Sequence, residues 1–327
     1  ATWVRGEQVT TLTAGGTFAR VANEIDTIFK SLAGWSLVEE LLRDESESRV
    51  SSTRIAQTGN FLVQVGLAAE LAELGIQPAA IVGHSVGEVS AAYLSGMLSL
   101  RDAITVSFHR ARLQARQAGT GSMLAVGLPE ATVRERIADL QGVEIAAVNS
   151  PAGVTLAGDS EPIERLAAQL TEEGAFNRLL RVEVPYHSHL MDPILDELRD
   201  ALAHITPGQP RIPLYSTVTG RRVDGAGEPW DAAYWLGNVR QSVRFADAIG
   251  ALIDDGFRAF LEVGPHPVLS GNVREILSSR GETGTSIPTL SRDQEDARSV
   301  RQTLAELYAA GALDEEALDR FFLVLSG

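Results

Sequence analysis

The chain has 327 residues, of which 44% are hydrophobic, and a formal net charge of −15. That length suits one large domain or two smaller ones around a substantial core, and the acidic balance argues against nucleic acid, whose phosphates require a basic face. Zero cysteines exclude a disulfide framework and any thiolate metal site, no metal centre is expected, and the lack of a signal-peptide pattern over residues 1–13 or of a membrane-spanning apolar run reads as cytoplasmic.

Residues 1–17, ending Thr-Leu-Thr-Ala-Gly-Gly-Thr, read as a strand running into a loop. Phe18, Val21, Ile25, Ile28 and Phe29 then recur at helical spacing over 18–32, and 36–42 repeats the pattern before an acidic, serine-rich loop at 43–52. A long helical pattern over 53–74 is stopped by Gly75 and Pro78. Next, an apolar run at 79–82 enters Gly83-His84-Ser85-Val86-Gly87, and an alanine-rich helical pattern follows from Glu88 to Leu94. Strand, sharp turn and helix form the context in which Gly-x-Ser-x-Gly makes a nucleophile elbow. The two glycines are expected to permit a strained turn and a close approach of strand and helix, leaving the hydroxyl clear at the end of the sheet. Ser85 is therefore the candidate nucleophile; the plainer reading is a small-residue turn that only joins a strand to a helix. Ser99, with Asp102 three residues on, caps a helix that carries over 103–118 to Gly119.

From 122 to 184 the rhythm changes to strand 122–127, helix 129–139, strand 143–149, a turn at 150–153, strand 154–158, helix 160–173 and strand 177–184. This βαββαβ order is that of a ferredoxin-like unit and marks a small inserted subdomain. Beyond it, 191–202 is helical, 212–218 a strand, 220–229 a polar loop and 232–253 helical again. An apolar strand at 257–263 enters Gly264-Pro265-His266-Pro267, and the acidic stretch 292–326 is mostly helix.

A serine hydroxyl needs a general base within hydrogen-bond reach. Of the six histidines, His84 reads as structural, while His109 and His204 sit in polar helical surroundings. His187 and His189 lie at Val-Pro-Tyr-His-Ser-His, where the small unit returns the chain to the large one, a natural cleft wall. His266 is the rival, because Asp254 or Asp255 before it satisfies the Ser, acid, His order of an α/β-hydrolase. Arg110, in the helix after the elbow, reads most simply with Arg112 as a solvated basic pair.

Ordered blocks narrow these alternatives: Gly-Trp-Ser-Leu at 34–37, Gly-His-Ser-Val-Gly-Glu at 83–88, Met-Leu-Ala-Val-Gly-Leu at 123–128, Ala-Val-Asn-Ser-Pro at 147–151, His-Ser-His-Leu-Met-Asp-Pro at 187–193, Tyr-Ser-Thr-Val-Thr-Gly at 215–220, Tyr-Trp-Leu-Gly-Asn-Val-Arg-Gln at 234–241 and Val-Gly-Pro-His-Pro-Val-Leu at 263–269. With them the chain resembles the acyltransferase domain of a modular type I polyketide synthase, related to malonyl-CoA:acyl-carrier-protein transacylases. The resemblance implies an α/β fold: a large α/β-hydrolase-like subdomain with a parallel sheet (1–121 and 187–300), an inserted ferredoxin-like βαββαβ subdomain (122–186) and a helical tail (301–327) like the linker that leads to a next module. It implies Ser85 as nucleophile, His187 (not His189) as base, and Arg110 as the fork that grips the free carboxylate of an extender unit. Asn238 is expected to orient the histidine ring as a neutral acceptor, and Val86 to donate its N–H to the oxyanion hole.

The chemistry so implied is ping-pong transfer of an acyl group, most simply malonyl, from CoA through an acyl-serine to the phosphopantetheine thiol of an acyl carrier protein. No bound cofactor is implied. The expected partners are the carrier protein, the acyl-CoA, and the ketosynthase and other domains of the same synthase, with neither nucleic acid nor membrane. Two departures stand out. The family's Gly-Gln-Gly-x-Gln loop, whose second glutamine gives the other oxyanion N–H, is replaced by Ala14-Gly15-Gly16-Thr17. The native chain is therefore expected to be longer between Ala14 and Phe18, which an intact mass equal to these 327 residues would contradict. The specificity block is Val184-Pro185-Tyr186-His187, where malonyl selectors of the family usually carry His-Ala-Phe-His and methylmalonyl selectors Tyr-Ala-Ser-His. The bulk of Tyr186 and the Val86 after the serine both point to malonyl, with methylmalonyl or an unusual extender as the alternative. The competing functions are a serine thioesterase or acyl hydrolase, and a catalytically silent docking domain.

Overall fold

Helix α1 (Thr17–Ala33) forms because Phe18, Ala22, Ile25 and Phe29 return to one buried face, and it ends at Gly34, whose left-handed φ of 77° lets its N–H reach the Lys30 carbonyl at 3.0 Å. Asp26 then caps the next helix from outside it: Oδ1 accepts the N–H groups of Leu37 (2.6 Å) and Val38 (3.1 Å) at the start of α2 (Leu37–Leu41). The computed structural model describes residues 15–224, 229–290, 296–309 and 311. The expected strand before residue 15, part of the 220–229 loop and most of the tail beyond 309 lie outside them. Helix α3 (Thr53–Glu73) runs the full predicted length and buries Phe61, Leu62, Val63 and Val65 at consecutive and alternate positions, so it is enclosed on most of its circumference by α1 and its neighbours. Strand β1 (Ile81–Val82) leads through the elbow into α4 (Gly87–Leu94) and on to α5 (Leu100–Gln114), where Ser99 Oγ accepts the Asp102 N–H at 3.1 Å as the spacing predicts.

The middle of the chain supplies β2 (Ser122–Val126), α6 (Glu130–Ile137), β3 (Val143–Ser150), β4 (Gly153–Gly158), α7 (Ser160–Glu172) and β5 (Asn177–Leu179). These strands form one antiparallel sheet in the order β3-β4-β2-β5. Leu124, Leu156, Ile163, Leu166 and Leu170 make its apolar core against the two helices. Each such side chain withdrawn from water is worth about 1.5–3 kcal/mol. The last strand is shorter than predicted. It pairs only with β2, from Val126↔Asn177 to Leu124↔Leu179, and after the Leu180 N–H reaches the Met123 carbonyl (2.9 Å) the chain leaves the sheet and runs irregularly to His187.

The remainder gives α8 (Leu195–Leu202), β6 (Leu214–Ser216), β7 (Arg221–Arg222), α9 (Ala232–Arg240), α10 (Phe245–Asp254), β8 (Ala259–Glu262), α11 (Ser270–Ser279), β9 (Thr285–Pro288) and α12 (Asp296–Ala309). Here the expected parallel sheet is divided among the described strands. β1 pairs in parallel with β6, Ile81 opposite Leu214 and Val82 opposite Tyr215, and β8 with β9 as a separate pair. The strands are two to four residues long, and β7 closes the outer edge of β6 in the antiparallel sense. Two apolar clusters flank the β1–β6 pair. One joins α1, α3, α4 and α5 to Trp230 and Trp235; the other gathers Tyr215, Phe245, Ile249 and Ile276. Among the described residues no helix is long and apolar enough to cross a membrane.

Candidate active site

Ser85 owes its position to Gly83. A Cβ at Gly83 would lie 2.3 Å from both the Glu88 nitrogen and the Gly87 carbonyl carbon, so β1 and α4 approach this closely only with glycine between them. Gly87 is different: a Cβ there would meet nothing nearer than Gln64 Nε2 at 3.9 Å. The expectation that both glycines serve the turn is corrected to one. The strained residue is the serine itself, held at φ 52°, and among the described residues the other non-glycine residue with positive φ is His187, at 60°. Such conformations cost on the order of 1–3 kcal/mol and persist where surrounding contacts over-determine them.

The two strained residues meet. Ser85 Oγ lies 2.7 Å from His187 Nε2, and His187 Nδ1 lies 3.0 Å from the Gln241 carbonyl, which fixes the proton on Nδ1 and leaves Nε2 free to accept from the hydroxyl. Burial, and then the charge of Arg110, lowers the His187 pKa to about 3, so the ring is neutral at neutral pH, with Nε2 unprotonated. The orienting acceptor is thus Gln241 and not Asn238. Gln241 caps the C-terminus of α9, where carbonyls lack intrahelical donors, whereas Asn238 sits a turn earlier inside the helix.

Asn238 has another task. Its Oδ1 accepts from Arg110 Nε (2.9 Å), and its Nδ2 donates to the Glu88 carboxylate (2.7 Å) and the Ser85 carbonyl (3.1 Å). Arg110 is 1% exposed, and its Nη1 and Nη2 donate to Gln57 Oε1 (2.5 Å) and Ser85 Oγ (3.0 Å). Among the described residues no carboxylate stands within ion-pair distance of this guanidinium. Burial lowers its pKa to about 10, which still leaves it cationic at neutral pH. The solvated-pair reading holds for Arg112 alone, which faces outward to Glu197 (2.7 Å) and His109 (3.0 Å).

Val86 stands at the N-terminal cap of α4, where first-turn N–H groups lack intrahelical acceptors. Val184 and Pro185 are buried, and the Tyr186 hydroxyl is 2.7 Å from Thr53 Oγ1 at the start of α3. Ser188 Oγ donates to the Pro185 carbonyl at 2.7 Å and closes the loop that holds His187. The other histidines are placed elsewhere. His84 donates to Asn149 Oδ1 (2.7 Å) and packs edge-on against Phe245, His189 lies 3.4 Å from Asp159, and His204 is exposed. Ser85 Oγ has His187 Nε2 as its histidine partner, while Asp254 pairs with Arg280 and Asp255 accepts from the Tyr215 hydroxyl. Sequence reasoning missed Gln57, Glu88 and Gln241. Glu88 had a signal, a carboxylate directly after the elbow; Gln57 and Gln241 had none.

A nucleophile, a neutral base and a buried cation within one hydrogen-bonded set can carry out acyl transfer on a substrate bearing an anion. The family model described as the acyl transferase domain matches residues 10–313. The phthioceranic/hydroxyphthioceranic acid synthase of Mycobacterium tuberculosis is 35% identical over 304 residues, which cover 92% of this chain and 14% of that protein. The chain therefore spans about a seventh of the length of such curated relatives. The acyltransferase domain from module 8 of the salinomycin polyketide synthase superposes with a TM-score of 0.88 at 34% identity, covering 93% of this chain and 72% of that one. The acyl transferase domain of SpnD, solved in complex with 2-(pent-4-yn-1-yl)malonyl, does so with 0.83 at 32%, covering 92% and 72%.

Proposed function

The chain belongs to the acyl transferase domain family of polyketide synthases, and from that premise we propose that it loads a malonyl group from CoA onto the phosphopantetheine thiol of an acyl carrier protein. The observation that carries the choice of substrate is Arg110: a buried guanidinium beside the serine hydroxyl, held by neutral acceptors, suits an incoming carboxylate. The relative solved with a substituted malonyl group supports the same class of substrate.

In the first half-reaction Ser85 Oγ passes its proton to His187 Nε2 and bonds the thioester carbon. The Val86 N–H supports the oxyanion. The C–S bond then breaks, CoA leaves with the proton from His187, and an acyl-serine remains. In the second half the carrier thiol gives its proton to His187, bonds the acyl carbon and displaces Ser85 Oγ, which regains the proton. The Gln241 carbonyl stabilises the transient imidazolium. Positioned base catalysis contributes typically about 10²–10⁴-fold, and one oxyanion donor about 10²–10³-fold.

Tyr186, anchored by Thr53, limits the room for a 2-substituent, which favours malonyl over methylmalonyl by about 1–3 kcal/mol. The same reading takes residues 122–186 as a ferredoxin-like insertion in an α/β-hydrolase-like body, 301–327 as the start of a linker, and the ketosynthase and other domains of one cytoplasmic synthase as neighbours. The test is a transfer assay with malonyl-CoA and a phosphopantetheinylated carrier protein. Malonyl-carrier formation matching CoA release is the expected result; CoA release with free malonate and unacylated carrier identifies a hydrolase instead.

A further inference from the structure

Glu88 is a buried carboxylate that the mechanism above does not use. It has no exposed surface, and burial pushes its pKa up to about 7 despite the donors that converge on it. Thr217 N–H reaches Oε1 at 2.6 Å, while Asn238 Nδ2 (2.7 Å) and the Tyr234 hydroxyl (2.9 Å) reach Oε2. Asn238 turns its other end, Oδ1, to Arg110 Nε. One amide thus joins the carboxylate to the cation, and the carboxylate, together with the Ser85 carbonyl, holds the NH₂ end of that amide away from Arg110. The charged or titratable neighbours on the elements packed around Glu88 are Arg110 from α5 and Tyr234 from α9; α3, β1 and the segment after β6 bring the neutral Gln57, Gly83 and Thr217. Tyr234 can accept as well as donate, and its hydroxyl is also 2.8 Å from Ser216 Oγ, so a proton arriving on Oε2 has an acceptor in place.

We propose that Glu88 is the positioning residue of the carboxylate site: it sets Arg110 through Asn238 as the guanidinium's standing counter-charge, and it takes up one proton from solvent when the acyl group brings a second carboxylate to Arg110. The inference rests on the reading that the acyl carboxylate lands on Arg110. Glu88 meets Arg110 only through the Asn238 amide, so an acyl carboxylate seated on the guanidinium adds a second anion to the same enclosed set, and Glu88, already near neutrality, is the one that protonates. Loading of a carboxylated acyl group then weakens as pH rises past 7, while loading of a neutral acyl group is untouched by this linkage.

The experiment compares kcat/KM for acyl-serine formation from malonyl-CoA and from acetyl-CoA between pH 6 and 8.5, in the wild-type chain, Glu88→Gln and Arg110→Ala. Taking the ratio of the two substrates cancels the titration of the base. In the wild type the malonyl-over-acetyl ratio should fall about fivefold from pH 7 to 8, and in Glu88→Gln it should be flat. A measurement without a variant accompanies it: in weak buffer at pH 7.5, malonylation of the wild type should take up roughly three quarters of a proton per acyl-serine, read with a pH indicator, and acetylation none. A pH-independent wild-type ratio, no proton uptake, or a Glu88→Gln variant that keeps the fivefold fall overturns the role of Glu88. If Arg110→Ala leaves the ratio unchanged, the carboxylate site itself is wrong, and the inference falls with it.

Discussion

His187 shows at the scale of one residue how burial keeps an imidazole neutral. A free imidazole is half protonated near pH 6.5, but this one stays neutral down to about pH 3, because enclosure and Arg110 both oppose a second positive charge. The unfolded chain therefore binds this proton first as the pH falls. The stability associated with His187 is fully present above pH 6.5 and is lost at about 1.4 kcal/mol per pH unit on the way down to its folded value. In His187→Asn that loss should vanish, so urea unfolding at pH 6.5 and at 4.5 should show the wild type losing about 2 kcal/mol more than the variant across the interval. Equal losses would mean that the ring is not enclosed as described. For Arg110→Ala, the malonyl-over-acetyl preference in kcat/KM should fall by about 2–5 kcal/mol of transition-state free energy. Ser85, His187 and Arg110, which the structure brings into one hydrogen-bonded set, were legible because side chains of that chemistry stand in motifs. The ring's acceptor was not, since a backbone carbonyl has no letter in the sequence: only the end of α9 at Arg240 places Gln241 beside the histidine.

At the scale of elements, the elbow is a contact between β1 and α4 that tolerates no Cβ at Gly83. Gly83→Ala should cost at least about 3 kcal/mol or prevent folding, while Gly87→Ala, with open space and an ordinary φ, should be neutral or up to about 1 kcal/mol stabilising. Thermal unfolding of the two variants checks the contrast, and equal effects would contradict the geometry. The motif itself could not separate them, because Gly-x-Ser-x-Gly names both glycines and only the packed distance shows which one is obliged to be glycine. The start of α3 is a second element-level device. Thr53 offers its N–H to Glu183 Oε2 (2.8 Å) and its hydroxyl to Tyr186, bracing the loop that carries the base. Thr53→Val keeps the first contact and removes the second, so discrimination against methylmalonyl-CoA should fall by several-fold while acylation by malonyl-CoA changes little; equal slowing of both substrates would show a general disturbance of the loop.

At the scale of the whole molecule, the site lies where parts distant in sequence converge: Gln57 from α3, Ser85 from the elbow, Arg110 from α5, His187 from the irregular run after β5, and Asn238 from α9. The βαββαβ stretch was legible because its strands alternate with helices over short intervals, and the chain order β2-α6-β3-β4-α7-β5 is present. The division of the parallel strands was not. β1 and β6 pair across more than a hundred residues through two registered positions, and no local pattern fixes such a pairing. The ties between the four-stranded sheet and the rest are similarly invisible in sequence: Arg240 reaches both Glu144 (2.7 Å) and Asp192 (2.6 Å), beside the turn that follows His187. The central claim is that this convergence makes an acyl-serine from a carboxylated thioester. Intact-mass spectrometry of the chain mixed with malonyl-CoA tests it most directly, with Ser85→Ala as control. One malonyl group on the wild type and none on the variant is the predicted result; an unmodified wild type, or a modification that survives in Ser85→Ala, would contradict it.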